Sequence, residues 1–264
     1  MRAVLAALCL AGAAALPALP AQAGQTCRPE PLGLGEVRAS MTLAERTFAA
    51  LDASGASVAL VARAGQDLSK YGVDYSHMGI AVRDHPGGRW TVVHELNDCG
   101  TADSDLYADG VGNFFLTDLY RYRAQVVIPG PALQARLAAL MASNAPRRLH
   151  EPHYNMLAYV YGTRYQNSNQ WVLEVLAAAD APANAPAATR AAAQARMKAQ
   201  GYQPPTVHVP AAARLGARMF RANVAFDDHP FEQRMAGRID TVTTGAVLAW
   251  VRARDPQARV VLVE

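Results

Sequence analysis

The chain has 264 residues, 51% of them apolar and 18% charged, with a formal net charge of +3. That is enough chain for one large domain with its own core. The mild charge is interspersed and no basic stripe carries interleaved aromatics, which argues against a nucleic-acid binder.

The N-terminus reads as a secretory signal peptide spanning residues 1–23. Arg2 gives a short positive start, VLAALCLAGAAALPALP supplies the apolar stretch, and Ala21-Gln22-Ala23 is a small-x-small cleavage site. A buried helix is a poor alternative, because Pro17, Pro20 and the polar GQTCRPEP segment would end it badly. A retained anchor is also disfavoured, since the run is short for a span and broken by proline. No second run reaches membrane length. Residues 24–264 are therefore expected to form a single soluble α+β domain in the periplasm or secreted, with an Ala/Pro-rich linker near 181–188.

Cys9 leaves with the signal, and Cys27 and Cys99 remain. In an oxidising compartment the two are expected to pair as a disulfide. The other reading, a free nucleophile at Cys99, is weak because NDCGT looks like a turn and no helix presents the thiol.

In chain order, residues 36–52 have helical spacing, with Met41, Leu43, Phe48 and Leu51 as core positions. SVALVARAG reads as a strand and GQDLSKYGVDY as a loop. HMGIAVRD and RWTVVHEL read as an antiparallel hairpin closed by DHPGG. NDCGTADSDLYADG reads as a Gly- and Asp-rich connection. GNFFLTDLYRYRAQVVIP holds a short element and then a strand, and 130–144 reads as a helix with Pro131 in its first turn. An aromatic and polar segment, 145–166, leads to a strong helix from Asn167. A further helix is expected over 189–200. The tail holds a short helix at 211–219, a polar loop at Asp227-Asp228-His229 and two strands.

Ser168 stands at the start of the apolar helix carrying Trp171, Leu173 and Leu176. The first-turn N–H groups of such a helix can stabilise a developing oxyanion. His77 opens a core strand and could serve Ser168 as a base. Glu95 is the preferred orienting group, because a carboxylate fixes the imidazole tautomer, and His94 is the reserve. Strand alternation makes these two mutually exclusive. Gln166, Asn167 and Tyr75 are candidate binding residues. A capping reading of Asn167 and Ser168 stands beside the catalytic one. His153, His208 and His229 are too far apart to suggest a metal site, and Asp103, Asp105 and Asp109 miss the calcium-loop spacing and read as a solvated loop. No metal and no cofactor is expected.

The order of these segments resembles permuted papain-like folds of the cell-wall peptidase superfamily, the NlpC/P60 type. YSHMGIAV corresponds to the histidine strand, VVHELN to the strand with the orienting residue, and YQNSNQWVLEVL to the nucleophile helix. Ser168 stands where that resemblance implies a cysteine. The segments ARAGQDLSKYGVDYSHMGIAVRD, VVHELNDCG, LYADGVGNFF and GTRYQNSNQWVLE more closely resemble the bacterial family called domain of unknown function 2145. The fold expectation is therefore α+β and permuted papain-like, with a small antiparallel sheet packed against helices. Three functions are open at this point. The leading one is a groove that binds a cell-envelope peptide, glycan or lipid fragment. The second is an amide or ester hydrolase or acyltransferase using Ser168. The third is a structural or assembly accessory protein. The sequence indicates no oligomeric state.

A Cys27–Cys99 bridge closes a long loop and would stabilise the fold by about 3–5 kcal/mol on the chain-entropy account. Non-reducing peptide mapping of exported protein should recover the two peptides linked. Recovery of both as free thiols contradicts the pairing.

Overall fold

The structure is a computed structural model that describes residues 31–264 except 118, 183 and 185. The expected signal segment and Cys27 lie outside the described residues. The strands are β1 (Val58–Ala64), β2 (His77–His85), β3 (Gly88–Asn97), β4 (Ser104–Gly110), β5 (Arg121–Ile128), β6 (Thr206–His208), β7 (Arg238–Asp240) and β8 (Arg259–Val263). The helices are α1 (Leu34–Ala53), α2 (Val111–Phe115), α3 (Pro131–Met141), α4 (Ala145–Arg148), α5 (Ser168–Ala179), α6 (Arg190–Ala199), α7 (Ala211–Phe220), α8 (Phe231–Met235) and α9 (Thr244–Arg254).

Six strands form an antiparallel sheet in the order β4-β3-β2-β1-β5-β8, and β6 pairs with β7 in a separate ribbon. The fold is α+β, with the sheet packed against helices. Every residue of β1 is buried, as expected of a near-continuous apolar strand covered on both faces. Leu60, Met78 and Ile80 face α3, α5 and α9 in one core. Val61, Ala81 and Val92 face α1 and α2 in the other.

Two expectations need correction. In α1 the buried stripe is Ser40, Leu43, Ala44, Thr47 and Leu51, while Met41 is half-exposed. Met41 lies off that stripe by one residue and rests beside Gly112 instead. In the Gly- and Asp-rich connection, residues 104–110 form strand β4 and not a loop. β4 is an edge strand with Asp105 and Tyr107 exposed and Leu106 as its one larger aliphatic side chain, so its alternation carries little hydrophobic signal.

Helix α5 is buried on nearly all sides, and one charged group fixes its place. The Glu174 carboxylate is fully buried and accepts hydrogen bonds from Arg190 Nε at 2.8 Å and from the side-chain amides of Gln166 and Gln194 at 2.7 Å each. Burial pushes the Glu174 carboxyl up, and Arg190 with the two amides pulls against it. Arg190 also donates to the carbonyls of Gly162, Thr163 and Tyr165. This hub ties α6 and the approach strap to α5 three residues before the helix begins. Removing one partner of such a buried pair leaves an uncompensated charge, whereas the intact set is satisfied.

Candidate active site

The N-terminus of α5 meets the ends of β2 and β3. Asn167 is the helix N-cap, and its Oδ1 accepts from the Gln170 N–H at 2.8 Å. Its amide also donates to Thr241 Oγ1 at 2.9 Å. Ser168 is therefore the first helical residue and not the cap, so its side chain is left for other work.

The Ser168 Oγ lies 3.2 Å from His77 Nδ1. His77 Nε2 lies 2.9 Å from His94 Nδ1, and His94 Nε2 lies 2.9 Å from Asp109 Oδ2. These three contacts form an unbroken chain from the helix to the edge strand. Its polarity follows from the terminal acceptor. Carboxylate Asp109 can only accept, so His94 carries its proton on Nε2 and offers the Nδ1 lone pair. His77 must then carry its proton on Nε2, which leaves its Nδ1 lone pair facing the Ser168 hydroxyl. The reverse polarity would set the His94 Nε2 lone pair against the Asp109 carboxylate.

The surroundings favour the neutral imidazoles this requires. Burial holds His77 well below the ordinary histidine value, with further depression from the Arg63 guanidinium and from His94. Burial also lowers His94, opposed by its bond to Asp109. The His94–Asp109 contact is thus a hydrogen bond to a neutral ring, although the ring would form an ion pair if protonated. The His94 bond in turn holds the Asp109 carboxyl below its usual range. Phe114 of α2 closes the top of the pair, its ring centroid 5.1 Å from that of His94 and 5.8 Å from that of His77. The buried Arg63 guanidinium stacks on the other part of Phe114, 4.6 Å from the ring centre, and donates to the Phe114 carbonyl. Burial lowers Arg63 to about 10, so it remains a cation at neutral pH.

Sheet geometry makes room for this arrangement at one glycine. A Cβ on Gly79 would sit 2.6 Å from Val92 Cγ1 and 3.0 Å from the His94 Cβ. Glycine is needed there because the two strands carry the imidazoles on the same face.

The structure separates the other candidates. Glu95 lies on the opposite face of β3 from His94 and is fully buried, with its Oε1 accepting from Ser104 Oγ at 3.2 Å. Burial pushes its carboxyl well up. Its hydrogen bond is to Ser104, whereas His94, the reserve residue, is the one hydrogen-bonded to His77. Gln166 serves the Glu174 hub and also accepts from the Glu151 N–H. Tyr75 is buried behind the site under the Arg123 guanidinium, and its carbonyl accepts from Thr244 Oγ1. Asn167 and Glu95 line the cleft in front of Ser168, whereas Gln166 and Tyr75 do not.

Sequence reasoning missed three participants. Asp109 was read as part of a solvated loop, and the structure corrects this by placing it on β4 beside His94. Arg63 stands directly across the β1–β2 pair from His77, a register position that the strand reading did not use. Tyr154 is buried and lines the cleft with Ser168, and burial pushes its hydroxyl far up, so it stays a phenol. Among the described residues no cluster of three or more His, Cys, Asp or Glu side chains is arranged to hold a metal. No described helix is long and apolar enough to cross a membrane.

Residues 50–251 match the family described as an uncharacterized protein conserved in bacteria, domain of unknown function 2145. The chain belongs to this family. No curated protein and no solved structure shows a significant match to it. The match runs from the end of α1 into α9 and contains all four residues of the hydrogen-bonded chain.

The neutral state of His77 has a consequence for stability. Its folded value lies below the unfolded value of about 6.5, so as pH falls the unfolded chain takes up the proton first. The stability associated with neutral His77 is complete above about 6.5 and is lost as pH drops below it. Thermal melts between pH 8 and pH 5 should therefore show the wild type losing ground to a His77→Phe variant. A melting-temperature gap that stays constant across this range contradicts a neutral buried His77.

Proposed function

We propose that this protein is an exported envelope hydrolase or acyltransferase that uses Ser168 as its nucleophile on a permuted papain-like framework. The observation that carries the reading is the continuous hydrogen-bond chain Ser168–His77–His94–Asp109, with its polarity set so that a base lone pair faces the hydroxyl. A helix cap alone needs no such chain, and Asn167 already does the capping.

The chemistry follows from the positions. Ser168 Oγ attacks an ester or amide carbonyl while its proton passes to His77 Nδ1. The resulting imidazolium keeps its Nε2–H on His94, whose own Nε2–H rests on Asp109. The tetrahedral oxyanion gains from the first-turn N–H groups of α5 and from the positive end of that helix. His77 then returns the proton to the leaving alcohol or amine. Water, deprotonated by His77, attacks the acyl-serine and releases the acid, and a second alcohol or amine in place of water gives transfer. Because burial and Arg63 keep His77 unprotonated, the base form persists below pH 6.5.

The permuted papain-like assignment is supported by the chain order of histidine strand, polar strand and nucleophile helix. Export is supported by the N-terminal segment, which also favours an envelope peptide, glycan or lipid as substrate source and a Cys27–Cys99 disulfide. The binding-groove reading shares the cleft but leaves the polarity of the relay unused.

A fluorophosphonate probe tests the nucleophile. Wild-type protein should label at Ser168, with an acid limb whose midpoint lies below 6.5. Ser168→Ala should abolish labelling, and Asp109→Asn should slow it by up to about 10⁴-fold, the loss seen when a catalytic histidine loses its orienting acid. Ser168→Cys should react with a thiol-directed acyl probe. Absence of labelling in both the wild type and Ser168→Cys overturns the enzyme reading and leaves the binding groove in its place.

A further inference from the structure

The cleft in front of Ser168 has a volume of about 530 Å³ and two unlike walls. The near wall is polar and holds Ser168, His77, Tyr154 and Asn169. The far wall is built by the β6–β7 ribbon, α7 and the segment that follows it. There Val207, Val209, Ala217, Val224 and Phe226 present carbon to the cleft, with Leu157 beside them. Most of these belong to one small apolar cluster of their own, centred on Val224, Phe226 and Ile239.

Two polar side chains on this far side are already committed, and the exposed Arg221 of the segment after α7 also lines the cleft. Thr241 Oγ1 accepts from Asn167, and Thr243 Oγ1 caps α9 through the Ala246 N–H. Val209 N–H is bonded to the Gly237 carbonyl inside the ribbon. Apart from Arg221, the wall therefore offers an occupant dispersion and desolvation and few hydrogen bonds. A peptide or a glycan laid there would lose the water on its own polar groups without replacement, whereas an alkyl chain has none to lose.

We infer that the apolar far wall of the Ser168 cleft receives an uncharged acyl chain, so that the acyl group transferred to Ser168 is a fatty or other hydrocarbon acyl from an ester. This deepens the proposed function and rests on it. In the step so defined, the Ser168 Oγ–acyl bond forms as the ester C–O bond breaks. The alcohol leaves with the proton carried by His77, and water then returns the fatty acid.

The test uses the mature full chain and p-nitrophenyl esters from acetate to octanoate, kept below their micelle concentrations, with acetate esters of longer alcohols as the second series. Burying each methylene is worth up to about fourfold in kcat/KM, so at least about a tenfold rise from acetate to octanoate is expected. The octanoate-to-acetate ratio should collapse in Val207→Asp and in Ala217→Trp, which charge and fill the wall at two separate elements. Ser168-dependent turnover that is flat in acyl length overturns the acyl-wall inference while leaving the serine reading intact. So does a preference that rises only with alcohol length, or a ratio unchanged in both variants. No Ser168-dependent turnover of any ester, in the wild type or in Ser168→Cys, overturns both.

Discussion

The bond between His94 Nε2 and Asp109 Oδ2 is the contact on which the site depends, because it is the only link whose direction is fixed in advance. An ionised carboxylate accepts and cannot donate. From that one fact the proton positions on two histidines follow, and with them the lone pair that faces the Ser168 hydroxyl. The bond also ties the edge strand β4 to its neighbour by side chains as well as by backbone, so the strand at the margin of the sheet carries the far end of the relay. Phe114 and Arg63 then set the electrical setting. The ring excludes water from the two imidazoles, and the guanidinium makes a further positive charge there unfavourable.

The Ser168–His77 contact requires that α5 be held in place. Ser168 is the first residue of a helix whose cap and flanking strap are each held by different bonds. Asn167 fixes the entry, and Glu174 with Arg190 fixes the helix to the strap just before it. The buried carboxylate is satisfied on several sides, which is the condition under which a buried charge specifies position and does not simply cost stability. The same organisation places polar chemistry on one wall of the cleft and leaves the small C-terminal cluster to supply the other.

Much of this was legible in the sequence where one local rule dominated. The apolar periodicity of α5, the turn residues of the β2–β3 hairpin and the Val-rich run of β1 each pointed to the element observed. Ser168 and His77 were found because a helix start and a strand start are places where side chains can converge. The choice between Glu95 and His94 was also within reach. The two-residue turn pairs His85 with Gly88 and sets Ile80 opposite Val93. Continued three residues, that register puts His77 opposite Leu96, which shares its face with His94. Asp109 was harder to see, because SDLYADG has the composition of a loop and becomes a strand only by pairing with β3. Arg63 and Tyr154 depend on contacts between segments far apart in the chain, which no local pattern encodes.

The most direct measurement is the protonation of the individual ring nitrogens, by long-range proton–nitrogen NMR on histidine-labelled protein at neutral pH, with His77→Gln and His94→Gln variants for assignment. The relay predicts that His77 and His94 are both neutral, each with its proton on Nε2 and a bare Nδ1. A His77 that carries its proton on Nδ1, or that is an imidazolium at neutral pH, contradicts the account.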